Sequence, residues 1–454
     1  SVAVNVAGAG GAAVGVVLVG NDVSNSVTTA ITDSTVVSAS GDVLLDSDSN
    51  ASVAALTVGV AGAGGVAVNA TGFGNVIANT TSATISDHST VTTDSGSITL
   101  NADDNSSIRS LGVSVAGSGA VSVGALIGAN VVANSAIAEI SGSEVDSGAD
   151  LTLAANNNSS ILGYTAGVAA SGFGAGLFSL SANVVANTTR AAIRSKEEDD
   201  HSFTDSAIDA DGAITLSAAD GSTIDALSFG VAGSGGAALG LAAGVNTIAN
   251  TVEAEISGST VANAASVALS ADSSAIIRAL AFGVSGASAY AANLSFLGNR
   301  IDNTVTATIR DADVAASGDI SLTAEDQAPG VAPSFLDAIA DYIPTGGDGS
   351  EPSISDSLNA ALEDSPLELK ANILAVNISG AGSGLMAANI NLTGNDVSNE
   401  VKTTIESATV ESTGGDVLLT TDSAANIIAL TAGLGASGVR SEEHTSELQS
   451  LRHL

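Results

Sequence analysis

The most regular chemistry in this chain belongs to asparagine. The pattern Asn-x-x-x-Asn begins at Asn21, Asn75, Asn130, Asn183, Asn246, Asn299 and Asn395. It closes at Asn25, Asn79, Asn134, Asn187, Asn250, Asn303 and Asn399. The steps between copies are 54, 55, 53, 63, 53 and 96 residues. A carboxamide both donates and accepts hydrogen bonds, so amides repeated at this beat suit stacked ladders rather than catalysis.

A second group is the acidic run Lys196-Glu197-Glu198-Asp199-Asp200-His201. Glu197, Glu198, Asp199 and Asp200 form a candidate Ca²⁺ loop, because Ca²⁺ takes hard oxygen ligands. A solvated corner loop is the plainer reading of the same residues. No Gly-Gly-x-Gly-x-Asp nonapeptide accompanies them, which argues against a calcium β-roll.

Catalytic constellations are not found. His88 and His201 stand in different repeats, each in a polar corner. No His-Glu-x-x-His, phosphate-loop lysine or nucleophile-elbow pattern occurs. The expectation is a protein without catalytic residues, metal or cofactor. A β-helical enzyme acting on polysaccharides is the enzymatic alternative; it would gather acids and bases in one cleft. Thr304, Thr306 and Thr308 alternate as an ice-binding face would, but the matching positions Ser135, Ile137 and Glu139 break the array.

Composition narrows the field further. The 454 residues carry 11 Lys plus Arg against 48 Asp plus Glu, a net charge of −37. Such a chain is a poor partner for nucleic acid or anionic lipid. At 45% hydrophobic residues it is too apolar for an acidic disordered chain. Without cysteine, disulfides and thiol chemistry are excluded. Aromatic residues are 2%, leaving few platforms for stacking on sugars.

The elements that position the asparagines follow from a second marker. Gly or Ala, any residue, an aliphatic, any residue and Leu closes at Leu45, Leu100, Leu153, Leu216, Leu269, Leu322 and Leu419. Two independent markers keep one period, so the chain is an array of about seven units of about 54 residues. Asn130, Val132, Asn134, Ala136, Ala138 and Ile140 share one parity, which is the period of a strand. A polar corner follows, as at Ser86 to Ser89, then a glycine turn and a strand, as at Gly96 to Leu100. Asp103 to Ser107 reads as another corner. Leu111 to Gly119 and Ala120 to Gly128 read as two strands around a glycine turn. Val113 and Val115 lie on one face there, with Gly112, Ser114 and Ala116 on the other.

Single repeats cannot bury such faces alone, and stacking them gives an all-β, parallel β-solenoid. One wide coil per repeat would set Asn75 beside Asn130 and Asn130 beside Asn183. Half-size coils would instead stack residues about 27 apart. Seven wide coils span about 35 Å. The charge-free stretch Ser1 to Gly20 is long enough for a membrane helix. Its glycines and period of two argue for strands instead, so no transmembrane segment is expected.

Two insertions interrupt the beat, at 195–205 and at 327–370. The second holds all five prolines, Pro329, Pro333, Pro344, Pro352 and Pro366. Phe335, Leu336, Ile339, Tyr342 and Ile343 recur at helical spacing, so a helical hairpin resting on the solenoid flank is expected there, at an exposed corner as insertions in solenoids map. The solenoid comprises 1–326 and 371–439. Residues 440–454 break the grammar; Arg440 to Ser450 resemble one reading frame of a sequencing adapter, and the segment is set aside as an assembly artefact. Both ends read as cut from a longer chain.

One copy reads Asn246-Thr247-Ile248-Ala249-Asn250-Thr251-Val252-Glu253-Ala254-Glu255-Ile256, then Ser259-Thr260-Val261; another supplies Gly318-Asp319-Ile320-Ser321-Leu322. With the Gly-Val-Ala-Gly segments, this grammar resembles the repeats of bacterial filamentous adhesins of the haemagglutinin type, above all leukotoxin-like filamentous adhesins. The resemblance covers most of 1–439. It implies a secreted β-helical stalk on the bacterial cell surface, exported through an outer-membrane pore. Implied partners are host or neighbouring cell surfaces, glycans or matrix, and flanking parts of its own longer chain. A passive spacer within a larger secreted protein is the second expectation.

Overall fold

The structure is a computed structural model that describes residues 1–199, 201–329 and 370–438. It is a parallel β-solenoid with one wide coil per repeat. The coil beginning at Ile98 is representative. Its strands are Ile98–Ser118, Val121–Val132, Ser135–Ser141 and Glu144–Ser147. Each contributes to a different sheet, called here the first to the fourth. The second, third and fourth sheets have 7 strands each, and the first has 10. Coils pair strictly in parallel, so Asn75 lies opposite Asn130 and Asn130 opposite Asn183. The one antiparallel pair among the described residues is the ribbon Lys196–Glu197 with Phe203–Thr204.

Two local expectations are corrected. The run from Asn130 to Ile140 is two strands, broken at Ala133 and Asn134. There the Asn134 N–H donates to the Asn187 side chain of the next coil at 3.1 Å, so an amide oxygen replaces one rung of the backbone ladder at the bend. Asp103 to Ser107 is no corner; it lies within the continuous strand Ile98–Ser118. Each of its residues pairs in register with the next coil, and the inward Asp104 and Ser106 bond to each other and to Asn79. Polarity there serves the interior.

A true corner follows the third sheet, where the chain turns through left-handed backbone. Asp33, Asp87, His88, Asp311 and Ser407 adopt positive φ there, as do Gly142 and Gly258, both at +52°. Asp and Gly tolerate this region best. The 195–205 insertion leaves from this corner, between Thr188–Arg194 and Ser206–Ala210. The second insertion departs from the expected corner position. It interrupts the first sheet in mid-face, between Ile320–Asp326 and Ile373–Ser383. The next coil breaks at the same place, between Val417–Ser423 and Ile427–Ser437. The expected helical hairpin lies outside the described residues, as does 440–454.

The cross-section has two parts. In the body, Leu45, Ile85, Val91, Ile98 and Leu100 begin a continuous buried column between the first, third and fourth sheets. A second column holds Val53, Ile77, Ile108 and Val132 between the first and second sheets. Beyond it the first and second sheets close on each other as a thin fin. Here the pattern is inverted. Gly112, Ser114 and Ala116 point inward, while Leu111, Val113 and Val115 face out. The interior holds small and polar groups: Asn69 donates to Ser114 at 2.8 Å, and Ser179 to Thr165 at 3.1 Å. Where the buried Phe73 ring enters, glycine faces it; a Cβ on Gly128 would stand 2.3 Å from the ring.

Candidate functional site

The first asparagine column forms an unbroken amide ladder. Asn21 donates to Asn75 at 2.7 Å. Asn75 donates to Asn130, Asn130 to Asn183, Asn183 to Asn246, Asn246 to Asn299, and Asn299 to Asn395, each at 2.8 Å. Each inner amide accepts from one coil and donates to the other. Buried without those partners, it would lose about 1–3 kcal/mol per unmet group.

The second column is a different device. Its side-chain oxygens accept the backbone N–H of the preceding asparagine: Asn25 to Asn79, Asn79 to Asn134, Asn134 to Asn187, Asn187 to Asn250, Asn250 to Asn303 and Asn303 to Asn399. Five of its amide nitrogens are thereby free to reach three buried carboxylates. Asp104 accepts Asn79 at 3.2 Å and Asn134 at 2.7 Å. Asp220 accepts Asn187 at 3.1 Å and Asn250 at 2.6 Å. Asp326 accepts Asn399 at 2.6 Å.

Along the register this position reads Ser49, Asp104, Asn157, Asp220, Ser273, Asp326 and Ser423. Carboxylates therefore occur in every second coil, about 9.6 Å apart rather than about 4.8 Å. Alternation separates like charges that adjacent coils would press together. In the intervening coil the Asn157 Nδ2 is buried without a partner, because this pocket supplies donors and needs an acceptor. Burial pushes the Asp220 carboxyl up to about 6 and raises that of Asp326. Sequence reading missed these aspartates. Their signal is a fixed offset of four residues after the repeat leucine, as in Leu100 to Asp104, Leu216 to Asp220 and Leu322 to Asp326.

The acidic loop is folded onto the third-sheet corner. Lys196 pairs with Asp87, two coils back, passing over Gly142 of the coil between. The hydrogen bond from Lys196 holds the Asp87 carboxyl below its ordinary range. Glu198 lies 3.7 Å from His88 and 3.9 Å from Lys196, and Glu197 lies 2.9 Å from His201. Three of the four candidate calcium ligands are thus distributed among separate cationic partners or left outward, and Asp200 lies outside the described residues. Among the described residues no group of three or more acidic or imidazole side chains is placed to hold a metal ion.

Acids and bases also gather on the outer face of the third sheet. Glu139 bonds Arg190 at 2.8 Å and lies 3.5 Å from Arg194. Glu255 bonds Arg310 at 2.8 Å and lies 3.8 Å from Arg194. Glu253, beside them, is raised by burial and then by Glu255. On the first sheet, Asn156, Asn158, Gly221, Asp272, Ser274 and Gln327 line a shallow open groove of about 380 Å³. A second of about 330 Å³ adjoins it, along Asn105, Ser107, Ser160 and Thr223. Both present amides and hydroxyls without an aromatic platform. No described helix is long and apolar enough to cross a membrane.

The repeat, fold and ladders together define a parallel β-solenoid of wide, hydrogen-bonded coils. Comparison with protein-family models, curated proteins and solved structures finds no match to the chain.

Proposed function

We propose that this chain is a length of a secreted bacterial surface adhesin, acting as a stiff stalk and a repeated contact surface. The observation that supports this most directly is the continuous register. Every coil bonds to the next through backbone ladders in all four sheets and through the asparagine column. A rod built this way carries its outer faces at a fixed repeat, which favours multivalent contact. The first-sheet grooves offer amides and hydroxyls suited to glycans or matrix on a host or neighbouring cell. In this reading the buried carboxylates are structural, no residue is catalytic, and no cofactor is needed. The chain acts outside the bacterium, joined to flanking parts of a longer protein.

Binding to a panel of cells and surface glycans, with and without Ca²⁺, tests this. The full chain should bind, and deletion of 327–370 tells whether the insertion is the adhesive element. Binding by neither form would overturn the adhesive reading and leave the passive spacer.

A second reading is a polysaccharide-acting enzyme. The specific support is the third-sheet cluster, where Glu253 is raised beside Glu255 and three arginines. Release of reducing ends from a polysaccharide panel, abolished by Glu253→Gln, would favour it. The cluster lies on an open face and most of its carboxylates are already paired, so the stalk reading is preferred.

A further inference from the structure

Among the described residues, the fin is the part whose outer faces are most apolar and whose interior is mostly small and polar. Residues 2–20, 56–74, 111–129, 164–182, 227–245, 280–298 and 376–394 contain no Asp, Glu, Lys, Arg or His. Every charge of a chain with net −37 therefore lies outside these arcs. The outer side of the second sheet carries Ile127 at 56%, Leu239 at 45% and Tyr290 at 52% exposure, with Phe178 and Phe296 beside them. A soluble surface rarely leaves so continuous an apolar area uncovered.

We propose that this second-sheet face of the fin packs against the same face of a second copy of the chain. Size is the first argument. Seven coils by about eight residues make a face of about 34 Å by about 26 Å, or about 900 Å² per copy. A stable interface needs about 800 Å² per partner. Relief is the second. Bulky residues stand beside small ones at several places on it: Leu239 lies in register between Gly176 and Ala292, and Ala243 between Leu180 and Phe296. Such a face presents both knobs and gaps, and a second copy carries the same set.

Charge selects the occupant. A twofold axis parallel to the solenoid axis overlaps the two fins with their tips pointing in opposite directions. The acidic bodies then lie on opposite sides, separated by the fin width of about 26 Å, about three Debye lengths at physiological salt. A lipid bilayer with anionic headgroups would instead meet the acidic body at the base of the fin. The pairing would bundle parallel rods coil against coil. It rests on the geometry of the fin and is independent of the adhesive reading.

Light scattering on the full chain tests the proposal. The expected mass is twice that of one chain, with association strengthened by added NaCl. Phe178→Lys with Leu239→Lys should return the mass to one chain while leaving circular dichroism unchanged. Val168→Lys, on the opposite face of the fin, should leave the dimer intact. A wild-type chain that stays monomeric, or a double variant that stays dimeric, would overturn the proposal. So would a monomeric chain that floats with phosphatidylcholine vesicles, which would assign the face to lipid.

Discussion

Asn250 donates its side-chain amide to Asp220 across 2.6 Å, inside a solenoid where the aspartate is only 3% exposed. Asn187 and Ser222 supply further donors at 3.1 and 2.7 Å. The pocket is therefore an acceptor's site. Its carboxyl is nevertheless raised to about 6, because burial outweighs the donors.

The sign of the resulting pH dependence follows. The folded state holds this proton more tightly than the unfolded chain, whose carboxyl titrates near 3.8. The group's contribution is fully present at low pH and is lost as pH rises through about 4 to about 6. A shift of about two units corresponds to about 3 kcal/mol across that window. Asp220→Asn should remove this part of the slope. Urea unfolding of both proteins across the window measures it, and parallel slopes would refute the assignment.

Asn130 bonds to three partners: it accepts from Asn75 and donates to Asn183 and Ser110. Asn130→Ala strands buried groups on both sides and should cost about 2–4 kcal/mol. Asn105 is also an asparagine bonded across coils, to Asn158, but on the solvated face. Asn105→Ala should fall within about 0.5 kcal/mol of wild type. Equal losses at the two positions in chemical denaturation would contradict the ladder's role.

The period, the parallel solenoid and the contact of Asn75 with Asn130 were all legible, because two residue types mark the same beat. The different work of Asn130 and Asn134 was not. Both are inward amides at alternate positions, and only the bend at Ala133 gives Asn134 a backbone partner and frees its Nδ2 for Asp104. Nor did the sequence disclose which face of the fin is inside. Alternation of Val113 and Val115 with Gly112 and Ser114 fixes two faces without ranking them. Ordinary burial would turn the valines inward; here Phe73 and Leu126 of the facing sheet fill the space beside Gly112 and leave none for a valine. Asp104 was hidden for a related reason: a polar run in a strand reads as a corner until its neighbours Asn79 and Asn134 are in place.

The Lys196 contact with Asp87 predicts an acid response opposite to that of Asp220. Asp87 is held below its ordinary range by Lys196, so its stabilising pair is present at neutral pH and lost on acidification. Lys196→Met should accelerate amide exchange in the ribbon Lys196–Glu197 and Phe203–Thr204 at neutral pH. In wild type, acid or added salt should do the same, since the pair is partly exposed and open to screening. Ribbon exchange indifferent to salt would rule this out.

Gly142 supplies the test of why the ribbon can cross at all. Its φ of +52° already disfavours a side chain, and a Cβ there would stand 2.7 Å from the Lys196 Cβ. Gly142→Ala should therefore cost about 1–2 kcal/mol from backbone handedness alone, with a further loss from displacing the ribbon. Gly258 has the same φ at the same corner, where a Cβ would meet Ser195 rather than Lys196. The two contributions separate in the Lys196→Gly background. There Gly142→Ala should retain only the backbone cost, while Gly258→Ala should be unchanged by the background. Thermal unfolding of the single and double variants measures both, and a full-size loss at Gly142 in the Lys196→Gly background would show that the ribbon does not press on this corner.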